Sequence, residues 1–217
     1  MNRPLIVSDC DEVLLHMVVP FREWLDEHHG IHFDFSSSFE EALRHKDSGD
    51  VVERMHVWRL LGGFFETEMH RQTAISGAVE AMTQLAERAD VAIVTNIGEE
   101  NAQARADQLH GVGLPFRVIG NRGGKGPVVA RLIEEYRPGL TIFIDDLESN
   151  HASVAQHGAQ VWRLQFVGEP EIAPYAPTSP DAHARIDDWA SAERWIAAKL
   201  DELAEVEALM ARASPDC

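Results

Sequence analysis

Basic residues are scarce in this chain. Lysine and arginine together number 19 against 36 aspartates and glutamates, a formal charge of −17 over 217 residues. So acidic a composition argues against a nucleic-acid or anionic-membrane partner, because both require a basic face. A small anionic ligand stays possible, since one local cation or a bound metal can dominate a pocket. Cysteine is rarer still, with only Cys10 and the terminal Cys217. No disulfide framework follows, and a reducing cytoplasm is the expected compartment. No apolar run approaches the length of a transmembrane helix. Met1-Asn2-Arg3-Pro4 leads directly into the first apolar stretch, which leaves no room for a signal peptide. There are no internal repeats and no low-complexity tract.

Hydrophobic residues make up 45% of the chain, enough for a sizeable core, and the length suits one domain with a modest insertion. Leu5-Ile6-Val7-Ser8 is a short apolar run that ends in Asp9-Cys10-Asp11. That pattern predicts a strand buried on both faces, with two aspartates at its carboxyl end. Further strands are expected at Val91–Val94, Phe116–Ile119, Thr141–Ile144 and Gln160–Leu164. Helices are expected between them: Ser76 to Arg88, Glu99 to His110, Pro127 to Tyr136 and Ser149 to His157. Such alternation implies a parallel sheet with right-handed crossovers, hence an α/β doubly wound fold. A loop holding four prolines follows from Gly168 to Pro180, then a long amphipathic helix from Asp188 to about Ala213. Its stripe of Trp189, Ala192, Trp195, Ile196 and Leu200 is expected to cover the sheet. The part past Leu203 either continues that role or meets a second subunit, so the chain is expected to be a monomer or homodimer.

Residues 15–75 read differently. Pro20 to His29 predicts a helix ended by Gly30, and Ile31 to Phe35 alternates as a short extended piece. Ser36-Ser37-Ser38 offers an N-cap for a helix from Phe39 to His45. Val51 to Leu61 predicts another helix, with Val52, Met55, Trp58 and Leu61 or Leu60 inward and Gly62-Gly63 as its breaker. The segment is expected to be a small helical cap over a core formed by 1–14 and 76–217.

The strand ends carry the chemistry. Asp9 and Asp11 follow the first strand, Thr95 and Asn96 the second, Lys125 the loop after the third, and Asp145 and Asp146 the fourth. In an open α/β sheet, ligands bind beyond the carboxyl ends of the strands. Carboxylates gathered there, with Lys125 the only evident local cation, call for a divalent ion. Oxygen donors alone favour Mg²⁺.

These motifs, in this order from Leu5 to about Leu164, resemble the haloacid dehalogenase superfamily, and the helical insertion after the first strand resembles that family's cap. The resemblance implies a phosphatase acting on a small phosphorylated metabolite. Asp9 would be the nucleophile that forms an aspartyl-phosphate, and Asp11 the general acid and then base. Mg²⁺ would be held by Asp9, the Asp11 backbone carbonyl and Asp146, with Asp145 acting through water or second-layer contacts. Thr95, Asn96 and Lys125 would bind the phosphoryl group. Dehalogenases of the superfamily lack the second aspartate, so Asp11 favours phosphate chemistry. His16 and Met17, at the entry to the cap, are candidate substrate contacts. The same scaffold would also suit a phosphomutase, a phosphonate hydrolase, or a catalytically weak ligand- or partner-binding protein.

This sequence departs from the family pattern at Glu12, where glycine is usual, and at Asn150, where many members carry an acid. Glycines 123, 124 and 126 around Lys125 predict a mobile loop. Gly120 to Gly126 is no Walker loop, because Ile119 and Gly126 occupy positions that need Gly and Ser or Thr. Cys10 has no arginine six residues on to make it a thiol phosphatase. His28, His29 and His32 lack the partners that would make them a metal cluster and read as a solvated helix end.

Overall fold

The computed structural model describes residues 2–36, 41–158 and 160–213. Cys217 and the serines and phenylalanine at 37–39 therefore lie outside the described residues. Six parallel strands form one sheet: β1 (Leu5–Ser8), β4 (Asp90–Thr95), β5 (Arg117–Gly120), β6 (Thr141–Asp145), β7 (Trp162–Gln165) and β8 (Ala184–Arg185). The spatial order is β5-β4-β1-β6-β7-β8, so β1 lies inside the sheet, paired with β4 on one side and β6 on the other.

Alternation of side chains along the strands divides the core into two layers. On one face Ile6, Ile93, Ile142, Ile144 and Leu164 pack with α3 (Ala78–Arg88), α4 (Ala102–Gly111) and α7 (Trp189–Ala213). On the other, Leu5, Val7, Ala92, Val94 and Phe143 pack with α5 (Gly126–Tyr136) and α6 (Glu148–His157). Neighbouring residues of one strand thus serve opposite layers, which is the doubly wound arrangement expected. Trp189 is 1% exposed and donates its indole N–H to the Val13 carbonyl at 2.9 Å, pinning the start of α7 beneath the loop that follows β1. Farther along α7, Val206, Leu209 and Met210 are exposed.

The insertion carries its own apolar cluster of Phe21, Trp24, Leu25, Ile31, Leu43, Val57, Leu60, Phe64 and Phe65, joined by Ile97 from the core. Helix α1 (Val18–His29) ends at Gly30, whose φ of 60° is left-handed and whose N–H reaches back to the Leu25 carbonyl. The expected helix to His45 is not formed in its described part. Leu43–His45 is instead a strand, β3, paired antiparallel with β2 (Ile31–Phe33). Helix α2 (Arg54–Thr67) starts later than expected and runs through Gly62-Gly63. Its inner face is Val57, Leu60, Phe64 and Phe65, while Met55 and Trp58 are exposed. The glycine pair was expected to break the helix, but a Cβ at Gly63 would only touch the Trp24 ring at 3.7 Å, and packing on that ring overrides the low propensity. The segment enters and leaves the core side by side, with the Leu14 carbonyl accepting from Ile75 N–H and the Thr73 carbonyl from His16 N–H, each at 2.9 Å.

Candidate active site

The carboxyl ends of β1, β4 and β6 converge on one centre. Asp9 leaves the last turn of β1 with its N–H bonded to the Ile144 carbonyl at 2.8 Å, which fixes it beside β6. Its Oδ1 accepts from Cys10 N–H at 2.6 Å and lies 2.7 Å from Lys125 Nζ. Lys125 precedes the first turn of α5 and is fully buried. Its ammonium also donates to Asp145 Oδ2 at 2.7 Å. Asp145 Oδ1 accepts from Leu147 N–H and from Asn150 Nδ2, both at 2.9 Å, so both Asp145 oxygens are engaged by protein donors. Asn150 thus supplies a hydrogen bond to the neighbouring aspartate.

Asp146 differs. Among the described residues its carboxylate accepts no hydrogen bond, and Asp9, Asp145 and Asp146 each place a carboxylate oxygen within 4.8 Å of the others. One ammonium does not offset three such charges. Burial pushes the Asp9 carboxyl up to about 7, against the pull of Lys125 and helped by Asp145 and Asp11. Burial, with Asp145 and Asp9 adding to it, holds Asp146 well above the ordinary aspartate range. For Lys125, burial alone would favour the neutral amine, but Asp145 and Asp9 outweigh it and raise its basicity. An all-oxygen donor set with surplus negative charge fits a hard divalent cation.

Asp11 is held separately. Gln72 Nε2 donates to its Oδ1 at 2.7 Å, and Arg105 Nη2 lies 3.0 Å from the same oxygen. Thr95, at the end of β4, places Oγ1 3.4 Å from Asp11 Oδ2. Arg105 and Gln72 carry no strand-end signature. The trace of Arg105 in the sequence is its position four residues before Leu109, on the buried stripe of α4. It is fully buried, with Nη1 3.1 Å from Cys10 Sγ and its guanidinium 5.5 Å from the Phe65 ring centre. The Cys10 thiol is buried and pushed up by desolvation, so it is a packed neighbour and no nucleophile.

Asp9, Asp11, Thr95, Lys125, Asp145 and Asp146 are therefore gathered at one place. The Asn96 side chain is exposed and tied to Asn121 Nδ2 at 2.7 Å and the Gly123 carbonyl at 3.2 Å. Met17 packs against the cap cluster, and His16 Nδ1 lies 2.9 Å from Glu169 Oε2. The glycines near Lys125 serve close approach: a Cβ at Gly126 would run into the Ser153 carbonyl of α6, and one at Gly124 into its hydroxyl. Lys125 itself is clamped, contrary to the mobile loop expected.

Glu12 turns its carboxylate toward the start of α1. Its φ is 60°, the left-handed region that glycine adopts without strain. Its Oε1 accepts from Met17 N–H at 2.8 Å and Val18 N–H at 2.6 Å, where the chain enters α1. A surface groove of about 350 Å³ on the cap, lined by Trp24, His29, His56 and Arg59 among others, shares no residue with the carboxylate centre.

No family model matches the sequence, and no curated protein matches it significantly. Solved structures do match the fold. A haloacid dehalogenase-like hydrolase from Streptococcus pneumoniae is 12% identical, with a TM-score of 0.60 over 88% of this chain and 97% of that one. A HAD family hydrolase from Deinococcus radiodurans R1, solved with bound phosphate and sodium, is 15% identical, with a TM-score of 0.60 over 91% and 96%. A conserved haloacid dehalogenase-like protein from Agrobacterium tumefaciens is 17% identical, with a TM-score of 0.61 over 90% and 98%. The chain has the haloacid dehalogenase-like fold.

Proposed function

We propose that this protein, built on that fold, is a Mg²⁺-dependent phosphomonoester hydrolase acting on a small phosphorylated metabolite through an aspartyl-phosphate. One observation carries it: a buried lysine bridges Asp9 and Asp145 at 2.7 Å each, while Asp146 beside them has no donor to its carboxylate among the described residues. Three carboxylates and one ammonium form a poor structural ion pair but a good cradle for a cation and a phosphoryl group.

Asp9, the Asp11 backbone carbonyl and Asp146 would hold Mg²⁺. The ion supplies charge stabilisation for the phosphoryl oxygens and lets Asp9 stay ionised at neutral pH. Asp9 attacks phosphorus, and the bond to the leaving oxygen breaks. Asp11 gives that oxygen its proton, so the alcohol departs neutral. Asp11 then takes a proton from water as the water attacks the aspartyl-phosphate, releasing inorganic phosphate and restoring Asp9. Lys125 offsets charge between nucleophile and phosphoryl group, and the Thr95 hydroxyl donates to a phosphoryl oxygen. Gln72 and Arg105 orient Asp11. The Deinococcus radiodurans structure of the same fold was solved with bound phosphate, which is in keeping with a phosphate ligand. Residues 15–75, as a cap, would exclude bulk water and select the substrate.

A panel of phosphorylated sugars, nucleotides and acids, assayed for phosphate release with and without Mg²⁺, tests the proposal. Turnover is expected to vanish on chelation and in Asp9→Asn. Full activity of Asp9→Asn would sink the mechanism. Isomerisation of a sugar phosphate without phosphate release, dependent on a bisphosphate activator, would redirect it to phosphoryl transfer between sugar positions.

A further inference from the structure

Glu12, His16 and Glu169 form a cluster outside the carboxylate–lysine centre. Each offers a ligand atom within 4.8 Å of the other two. Glu12 and His16 belong to the loop that carries β1 into the cap, and Glu169 to the loop after β7. The two loops are joined by Gly168 N–H, which donates to the Glu12 carbonyl at 2.7 Å. Glu12 is 2% exposed and Glu169 8%, so both carboxyl groups are enclosed.

A pairing of His16 with Glu169, at 2.9 Å, accounts for two of the three groups. It leaves the third unexplained. Glu12 Oε1 is occupied by the Met17 and Val18 N–H groups, but Glu12 Oε2 is buried and has no hydrogen-bond partner among the described residues. A buried carboxylate oxygen without a donor is costly and calls for a positive neighbour. Arg22, on the adjoining helix, is committed to Glu171 at 2.7 Å and to the face of Phe35. One imidazole shared by two enclosed carboxylates is short of charge. An imidazole nitrogen with two carboxylate oxygens is a donor set for borderline cations.

We infer that Glu12, His16 and Glu169 bind a divalent transition-metal cation of the Zn²⁺ or Mn²⁺ class, at a site distinct from the catalytic centre. Bound there, the cation joins the N-terminus of α1 to the loop after β7. Arg22 and Glu171 already tie the same two segments together. The site is therefore a clasp on the cap entry.

The test uses the full chain carrying Asp146→Asn, which removes a ligand of the proposed Mg²⁺ centre. Zn²⁺ is titrated against a chromophoric chelator, and Co²⁺ is followed by its visible absorption. Asp146→Asn is expected to retain Zn²⁺ binding, and addition of Glu169→Gln or His16→Gln to weaken it about tenfold or more. The Co²⁺ spectrum should change with His16→Gln, and Zn²⁺ should slow proteolysis at the cap entry only while Glu169 is present. Loss of all Zn²⁺ binding in Asp146→Asn overturns the inference. Binding equal with and without Glu169→Gln and His16→Gln overturns it too. Neither result bears on phosphate release from the Mg²⁺-loaded protein.

Discussion

Lys125 and Asp145 form a fully buried ion pair, Nζ to Oδ2 2.7 Å, in which the ammonium also lies 2.7 Å from Asp9. Asp145 is thus a holder of the lysine, and the lysine a counter-charge to Asp9, the proposed nucleophile. Removing one partner of such a pair strands the others without compensation. Lys125→Met is expected to destabilise the fold by roughly 3–5 kcal/mol, seen as a lower urea midpoint at pH 7.5, and to abolish phosphate release. Because protonation of the stranded carboxylates relieves the cost, the loss should shrink at pH 5. A loss equal at both pH values would show that packing of the side chain, and not its charge, matters there.

Metal binding should be coupled to proton release. The Asp9 carboxyl is pushed up to about 7 by burial, so the metal-free protein carries a proton there at pH 6 and has lost most of it by pH 8. A ligand must be ionised, so Mg²⁺ displaces the proton. Calorimetry in buffers of different ionisation enthalpy is expected to show more protons released per ion at pH 6 than at pH 8, with affinity rising over that range. The stability sign follows. An acid whose folded value lies above its ordinary 3.8 binds protons more tightly when native, so metal-free stability falls as pH rises through about 7. Asp9→Asn should flatten that slope. Equal proton release at both pH values would mean that Asp9 is ionised before the ion arrives.

The parts of the fold visible in the sequence were those set by long apolar runs. Leu5–Ser8 and Thr141–Asp145 are strands because every residue is buried on one face or the other, and their ends placed Asp9 and Asp145 correctly. Short elements stabilised by partners far along the chain were not visible. Leu43–His45 is a strand because Ile31–Phe33 lies beside it, and Ala184–Arg185 because β7 does. Arg105 escaped for the same reason: its partner Asp11 is 94 residues away, and its own helix reads as polar.

In the proposed mechanism Arg105, 3.0 Å from Asp11, is a positioning residue for it. Asp11 is 14% exposed at its side chain, so water can replace part of what the arginine supplies. Arg105→Met is expected to cost about 1–3 kcal/mol of stability and to lower kcat about 10- to 100-fold with KM little changed. Arg105→Lys keeps the charge without the planar fork, and should recover stability more than kcat. A role through Asp11 has its own signature: in an Asp11→Asn background, Arg105→Met should remove little further activity. Additive losses would assign Arg105 a contact of its own with substrate.

Glu12 offers the sharpest test of how this chain differs from the glycine expected at its position. Burial pushes its carboxyl up to about 7, opposed by the N–H groups of Val18 and Met17 and aided by Asp11 and Glu169. Its ordinary value is 4.5, so native stability falls between about 4.5 and 7 as Glu12 is forced to ionise in place. The cost at pH 8 is about 3 kcal/mol. Glu12→Gln keeps an oxygen for both N–H groups and cannot ionise. With a chelator present, its urea midpoint is expected to exceed that of the parent at pH 8 and to converge with it near pH 4.5. Glu12→Gly relieves the backbone at φ 60° but leaves the Met17 and Val18 N–H groups without their acceptor, so it should gain less or lose stability. If Glu12→Gln is instead destabilised more at pH 8 than at pH 4.5, the charge of Glu12 is a native interaction and not a burden.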